Sequence, residues 1–188
     1  MLKQIKIIEF LISFQLIIIS TMLPIYISIP RNNNIIQIVE FPITWQVPII
    51  IFLTIIFSGK IVYKAFTVYF LIGLFILPIF YDGGSLGYML TPNFGYLLGI
   101  YPLIKTINKL NNKGSFSLKQ FFIFSILALT FMHVTGIIFN SIKFLLFNKI
   151  NFIPYIVGKF TISKIVYELL MLFPILILLK PFKTIKSI

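Results

Sequence analysis

The segment from residue 81 to residue 96, YDGGSLGYMLTPNFGY, places hydrogen-bonding groups in the middle of an apolar chain. Asp82 and Asn93 supply a carboxylate and an amide, while Gly83 and Gly84 allow positive φ and a close approach of the backbone to a ligand. Aromatic residues are interleaved with these groups: Tyr81, Tyr88, Phe94 and Tyr96. The pattern predicts a re-entrant or lid-like loop that closes over a small amphipathic molecule. The alternative is an interfacial loop whose rings form an aromatic belt.

Ionisable side chains are too few and too scattered to predict an enzyme. The chain has four acids and one histidine, whereas hydrolysis or phosphoryl transfer needs grouped acids, a histidine pair or a nucleophile beside its base. His133 has no second histidine and no cysteine near it, so we predict that it bonds to a neighbouring helix and does not bind a metal. We therefore expect no catalytic residues, no metal site and no cofactor.

Composition predicts the environment in which these residues work. Hydrophobic residues make up 59% of the 188 residues, charged residues make up 11%, and the mean hydropathy is +1.05. Such values lie far outside those of soluble domains, so the chain is predicted to be an integral protein of the lipid bilayer. The net charge of +12 comes from lysines at the ends of apolar segments, not from an aromatic-studded basic face. We therefore predict no nucleic-acid partner.

Apolar runs predict the elements that must position the polar groups. They cover residues 7–27, 43–57, 61–80, 94–104, 121–139 and 162–179. The first, third, fifth and sixth are long enough to cross a bilayer core of about 30 Å, and the other two are short. The predicted fold is an all-α integral membrane protein, a six-transmembrane-helix bundle with a Gly-rich loop between helices 3 and 4. We assign residues 1–188 to a single polytopic membrane domain.

The distribution of basic residues predicts the orientation in the cell membrane. With the N-terminus in the cytoplasm, the inner side receives Lys3, Lys6, Lys60, Lys64, Lys105, Lys109, Lys113, Lys119, Lys180, Lys183 and Lys186. The outer side receives Arg31, Lys143, Lys149, Lys159 and Lys164, together with Glu40 and Asp82. Because basic residues favour the cytoplasmic side, both termini are predicted to be cytoplasmic and the Asp82 loop to face outward.

Four consecutive stretches resemble, in order and spacing, motifs of the BioY family, the biotin-specific S components of energy-coupling factor transporters. They are EFPITWQ at 40–46, LIGLFILPIF at 71–80, YDGGSLGYML at 81–90 and TPNFGYLLGIY at 91–101. The family pattern reads V-P-x-T-L-Q, then G-L-P-V-F, then a Gly-rich loop, then G-P-T-G-G-Y-L-x-G-F. The resemblance covers roughly a third of the chain and implies a helix bundle that binds biotin.

Four positions depart from the family pattern. Asn93 and Phe94 stand where the family has Thr and Gly, and Trp45 replaces a Leu. Near the last apolar run the family commonly has Asp-x-x-Lys, whereas this chain has Thr161 in place of the acid and keeps Lys164. Recognition of biotin by that acid is therefore expected to be absent.

The resemblance implies that Lys164 binds the ligand's carboxylate. Biotin carries a carboxylate, an apolar chain and a flat ureido ring with N–H donors and a carbonyl, so its pocket needs one cation and a few amide or hydroxyl partners. Lys164 lies just inside the last apolar run with Glu168 one turn on, which suggests a partly buried cation. The alternative is that Lys164 extends to the interface and pairs with Glu168.

The remaining predicted substrate-binding residues surround the ureido ring. We expect Gln46, Asp82, Asn93 and Tyr96 to bind the ureido group. Trp45 is expected to stack on the bicyclic ring. Three glycines of the matching motifs complete the set: Gly83, Gly84 and Gly95.

The implied function is capture without catalysis. The chain would be the substrate-binding membrane subunit for biotin uptake, taking biotin from the outer side into a helix-bundle pocket closed by loops. The sequence has no G-x-x-x-x-G-K-[ST] motif, so active uptake would require a pair of ATP-binding subunits and a coupling transmembrane subunit. Two alternatives stay open: an S component for another small vitamin, and a membrane scaffold or assembly protein. The second leaves the 81–96 segment unexplained.

Overall fold

The structure is a computed structural model that describes residues 2–31, 35–111, 116–182 and 185–186. The first half of the chain forms α1 (Leu2–Met22), β1 (Pro24–Arg31), β2 (Ile35–Thr44), α2 (Gln46–Ile56) and α3 (Gly59–Phe75). The second half forms α4 (Asn93–Leu98), α5 (Ile100–Asn111), β3 (Phe116–Ser117), α6 (Leu118–Leu146), α7 (Ile153–Val157), α8 (Ser163–Leu170), α9 (Leu172–Leu179) and β4 (Ile185–Lys186). Lys113 and Lys183, which contribute to the predicted orientation, lie outside the described residues.

Long apolar helices dominate the fold. Within the described residues, three helical segments are long and apolar enough to cross a membrane: Gln4–Met22, Leu118–Leu146 and Ile150–Leu179. The other helices are shorter, and all six apolar runs of the sequence overlap helices. The protein is therefore a mostly helical membrane protein, as the composition predicts.

A two-stranded antiparallel hairpin, β1–β2, departs from the predicted all-α fold. The run predicted to be helical as far as Ile27 is helical only to Met22, and the chain then turns into β1. In the hairpin Tyr26 lies opposite Glu40 and Ser28 lies opposite Ile38. In β1 isoleucine, which favours extended backbone, recurs at every second position, at Ile25, Ile27 and Ile29. The prediction of helix was wrong for this segment because it relied on high hydropathy and not on the two-residue period, which is typical of a strand.

The core lies where α2, α3, α5 and α6 meet. Ile50, Phe66, Tyr69 and Leu103 are fully buried there. Tyr69 bonds to two neighbours, since its hydroxyl lies 3.2 Å from Thr21 Oγ1 and accepts a hydrogen bond from Gln46 Nε2 at 3.1 Å. These bonds tie α1, α2 and α3 together through a polar group that apolar packing would otherwise leave unsatisfied.

The segment between α3 and α4, residues 76–92, is shaped by a tight turn and close glycine packing. Phe80 and Gly83 form an antiparallel bridge around Tyr81 and Asp82, and Gly83 has φ of 126°. The Phe80 ring is buried against Gly73, where a Cβ would collide with the ring. A 3₁₀ turn, Leu86–Leu90, leads towards α4.

The last helical segment changes its winding before Lys164. Residues Gly158–Ile162 form one turn of π-helix between α7 and α8. Single π turns inside α-helices often occur at functional sites, because the inserted residue re-aims the side chains around it. This turn precedes the stretch that carries both Lys164 and Glu168.

Candidate functional site

A cavity of about 320 Å³ lies between the β-hairpin, the start of α2, the 76–92 segment, α4, α6 and the last helical segment. Its walls are largely apolar, with a few polar groups among them. This combination is typical of small-molecule sites in membrane and soluble proteins alike. The lining residues are Pro24, Glu40, Phe41, Pro42, Ile43, Thr44, Gln46, Val47, Tyr81, Tyr88, Asn93, Tyr96, Leu97, Ile100, Met132, His133, Phe160, Lys164 and Glu168.

Four of the predicted site residues line this cavity: Gln46, Asn93, Tyr96 and Lys164. Gln46 is the first residue of α2, and Asn93 is the first residue of α4. Both amides therefore stand where a helix begins, at the ends of elements that the core holds rigidly. The fold thus brings together residues that lie more than a hundred positions apart in sequence.

Tyr96 connects two walls of the cavity. Its hydroxyl lies 2.9 Å from Thr161 Oγ1, and its ring is stacked with Phe160 at a centroid distance of 6.0 Å. Thr161 is the residue that stands in place of the acid of the family pattern. In this chain that position contributes a hydroxyl to the tyrosine and no negative charge.

Lys164 is half-buried, and its ammonium packs near an aromatic ring. Nζ lies 5.1 Å from the centroid of the Phe160 ring, one turn towards the N-terminus of the segment. No described residue forms an ion pair or a hydrogen bond with it. Lys164 and Glu168 form no ion pair in the structure, and Glu168 bonds to His133 instead. The cation remains available to a ligand in the cavity.

Glu168 forms a buried pair with His133 of α6. His133 Nε2 lies 2.7 Å from Glu168 Oε2, and the two side chains are 3% and 5% exposed. His133 bonds to another helical segment, as predicted, although its partner is neither of the threonines near it in sequence. Thr130 and Thr135 donate to carbonyl oxygens of their own helix instead. One signal for this pair is visible in the sequence, because an acid in an apolar run is costly and usually has a partner or a function.

The other five predicted site residues lie outside the cavity wall. Trp45 packs with a small cluster formed by Ile25, Ile43 and Met171. Gly95 holds α4 against α6, since a Cβ there would lie 2.9 Å from Cβ of Phe139. Asp82, Gly83 and Gly84 belong to the turn that carries Tyr81 and Tyr88 into the wall.

Burial also raises the pKa values of the two tyrosines that this segment places in the cavity wall. Burial raises the pKa of Tyr88 well above its ordinary value, and the phenol of Tyr69 adds to the shift. The pKa of Tyr81 is raised by partial burial and then by the charge of Asp82 beside it. Both phenols therefore offer a neutral hydroxyl group to a ligand. Among the described residues there is no group of three or more His, Cys, Asp or Glu side chains that could hold a metal.

Comparison with known proteins assigns the family. The family model described as "BioY family" matches residues 4–177. The chain belongs to the BioY family. The match extends the resemblance of the central motifs to nearly the whole chain, including the helical segment that carries Lys164 and Glu168.

Two known proteins are similar to this chain. A "Probable biotin transporter BioY" of Lysinibacillus sphaericus is 29% identical over 97 residues, which cover 51% of this chain and 50% of that protein. The chain thus spans about half the length of the curated relative it matches. The crystal structure of the S-component for biotin from an ECF-type ABC transporter superposes with a TM-score of 0.63 and 17% identity, covering 95% of this chain and 92% of that one. At this level of identity, the likeness shows only that the two proteins share a fold.

Proposed function

We propose that this protein is a biotin-binding S component, which captures biotin from the outer side of the cell membrane in the cavity lined by Gln46, Asn93, Tyr96 and Lys164. The observation that carries the proposal is that a member of the BioY family has these four residues around one cavity of about 320 Å³. The likeness of the fold to a biotin S-component supports it. Binding and release require no covalent step, so the protein is proposed not to be an enzyme.

The chemistry of the cavity matches the chemistry of biotin. Apolar side chains such as Leu97, Ile100 and Met132 suit the valeryl chain and the sulfur-containing ring. The amides of Gln46 and Asn93 and the hydroxyl of Tyr96 can bond the ureido group. Lys164, which forms no ion pair with a described residue, supplies the charge for the ligand's carboxylate.

Residues outside the cavity wall support the site in this proposal. The turn that contains Asp82, Gly83 and Gly84 acts as part of a Gly-rich loop that closes over the ligand. Trp45 and Gly95 contribute through the segments that they hold in place. In this arrangement six transmembrane helices form one polytopic unit, with both termini in the cytoplasm and the Asp82 loop facing outward.

Uptake against a gradient is proposed to use separate partners. The solved structure that shares this fold is the S-component of an ECF-type ABC transporter. By analogy, a coupling transmembrane subunit and a pair of ATP-binding subunits would supply the energy, because this chain carries no phosphate-binding loop of its own.

Direct binding tests the proposal. The purified protein in detergent is expected to bind biotin saturably in calorimetry or in a radioligand assay. Lipoate, thiamine and riboflavin in the same assay test the alternative that another vitamin is the ligand. Absence of saturable binding of any of them at micromolar concentration would favour the scaffold alternative and reject the proposal.

A further inference from the structure

Stability of the fold alone does not explain the buried pair of His133 and Glu168. Moving a carboxylate out of water into an apolar interior is costly, and a well-packed apolar pair often stabilises a protein at least as well as a buried ionic one. Acids inside membrane segments are rare for this reason and usually serve binding or transport. Glu168 is the one acid in the apolar run that ends at Leu179. The presence of Glu168 in this run therefore suggests a function beyond stability.

Both members of the pair have hydrogen-bonding capacity that the protein leaves unused. Glu168 Oε2 bonds to His133 Nε2, but no described residue bonds to the other oxygen, Oε1. His133 Nδ1 is buried and has no partner among the described residues. A carboxylate can accept about four hydrogen bonds, so most of its capacity is free. A pair kept only for stability would be satisfied, because an unsatisfied buried polar atom is destabilising.

This carboxylate and the ammonium of Lys164 both belong to residues that line the cavity. The ammonium of Lys164 lies by Phe160, towards the N-terminal end of the segment, while Glu168 reaches across to His133 of α6. The two charges do not form an ion pair with each other. The other acid of the wall, Glu40, is exposed on β2. The cavity therefore offers a ligand both a cation and a buried acceptor, which form no ion pair with each other.

We propose that Glu168 is a binding residue that accepts a hydrogen bond from an N–H donor of the ligand, and that His133 is its positioning residue. This inference rests on the proposed function, in which the donors are the two N–H groups of the ureido ring. His133 Nε2–H holds one carboxylate oxygen, which fixes the rotamer of Glu168 and leaves Oε1 for the ligand. An acceptor that carries a charge in a low-dielectric cavity forms a stronger bond than a neutral one.

A ligand that lacks the donors tests the assignment of Glu168. The probe is the cyclic carbonate analogue of biotin, in which oxygen replaces both ring N–H groups and the shape is kept. The unmodified protein is expected to bind biotin at least about tenfold more tightly than this analogue, because the analogue would place an oxygen against a carboxylate. In Glu168→Gln the preference should fall below about threefold, since an amide can also donate. Glu9→Gln, in α1 and outside the cavity, is the matched control and should keep the full preference.

Two substitutions of His133 test its positioning role. In His133→Gln the side-chain amide still offers a donor to Glu168, so this variant should keep most of the preference for biotin over the carbonate. In His133→Leu the carboxylate loses its partner and its fixed rotamer, so the preference should fall as in Glu168→Gln. A purely structural histidine would affect the yield of folded protein in both variants but not the ratio of the two affinities.

The outcomes separate this inference from the proposed function. If the unmodified protein binds neither biotin nor the analogue, the proposed function fails. If it binds biotin and Glu168→Gln retains the full preference over the carbonate, biotin binding stands and the role of Glu168 is wrong. If Glu168→Gln does not fold, equal affinity of the unmodified protein for biotin and the carbonate overturns the inference, and a clear preference for biotin supports it.

Discussion

Lys143 Nζ donates a hydrogen bond to the carbonyl oxygen of Leu90 at 3.1 Å, so α6 holds the 3₁₀ turn that leads into α4. Asn140 adds a second tie one turn earlier, because its Nδ2 donates to the carbonyl oxygen of Pro92 at 2.9 Å. The lysine ammonium also lies 4.9 Å from the centroid of the Phe144 ring. The wall formed by the 76–92 segment is thus fastened to a long helix by two polar side chains that are themselves buried.

Loss of the Lys143 bond should loosen the turn without unfolding the protein. In Lys143→Met the carbonyl of Leu90 loses a charged donor. A hydrogen bond of this kind contributes roughly 1.5–3 kcal/mol to stability. Local opening of the turn should then become about tenfold more frequent or more. Hydrogen–deuterium exchange of peptides covering residues 86–92 measures this directly. Lys149→Met, an exposed lysine just after α6, is the control, and equal exchange in the two variants would contradict the expected role.

The packing of Gly84 predicts a large effect from one added methyl group. A Cβ at this position would lie 2.5 Å from Cα of Pro78 and 2.8 Å from the carbonyl oxygen of Gly73. Because both neighbours are backbone atoms, they cannot turn away. Gly84→Ala should lower the free energy of unfolding by about 1–3 kcal/mol and reduce the thermal stability in detergent.

Gly87 gives the matched control in the same segment. A Cβ there would meet only Ser85 Oγ, at 3.6 Å, which is an ordinary contact. Gly87→Ala should therefore leave the thermal stability nearly unchanged. Similar losses in both variants would mean that the segment does not pack as described.

The proposed orientation can be read from chemical labelling, because the chain has no cysteine. A single cysteine at Ser85, which is exposed in the 76–92 segment, should react with an impermeant maleimide in intact cells. A cysteine at Lys109, exposed near the end of α5, should react only after the membrane is opened. The reverse pattern would overturn the orientation derived from the lysine bias. Asn112 and Ser187 are further inner positions by sequence, and both lie outside the described residues.

The sequence predicted the helical membrane fold because hydropathy is a local property. Runs such as 121–139 and 162–179 are apolar enough to be recognised alone, and α6, α8 and α9 cover them. The hairpin was missed for the same local reason, since Ile25, Ile27 and Ile29 raise the hydropathy of a strand as they would that of a helix. The alternation of these isoleucines with Tyr26 and Ser28 is the pattern that indicates a strand.

The cavity was only partly predictable, because its walls meet through contacts distant in sequence. The motif residues Gln46, Asn93 and Tyr96 were found by their pattern, and they line the cavity. His133 and Glu168 are 35 residues apart, and neither residue type alone indicates the other as its partner. Trp45 has the chemistry of a stacking residue, but its packing in the cluster with Met171 depends on the hairpin that the sequence did not predict.

The role of Lys164 gives the last prediction. If its ammonium binds the ligand's carboxylate, Lys164→Met should weaken biotin binding by about 2 kcal/mol or more, which is roughly 30-fold in affinity. The loss is large because a charge-assisted bond disappears and the carboxylate is left unpaired in an apolar cavity. Calorimetry of the purified variant measures the change. Lys149→Met, which removes an equal charge outside the cavity, should change the affinity little.

A neutral ligand separates this role from a general effect on the cavity. Biotin amide brings no charge to be paired, so Lys164→Met and the unmodified protein should bind it with similar affinity. If the variant loses biotin and biotin amide equally, Lys164 acts through the shape of the cavity or through another part of the ligand. Normal biotin binding by the variant would mean that the carboxylate is bound elsewhere, by Lys159 or by the backbone amides around Gly83 and Gly84, which a loop closed over the ligand would bring near.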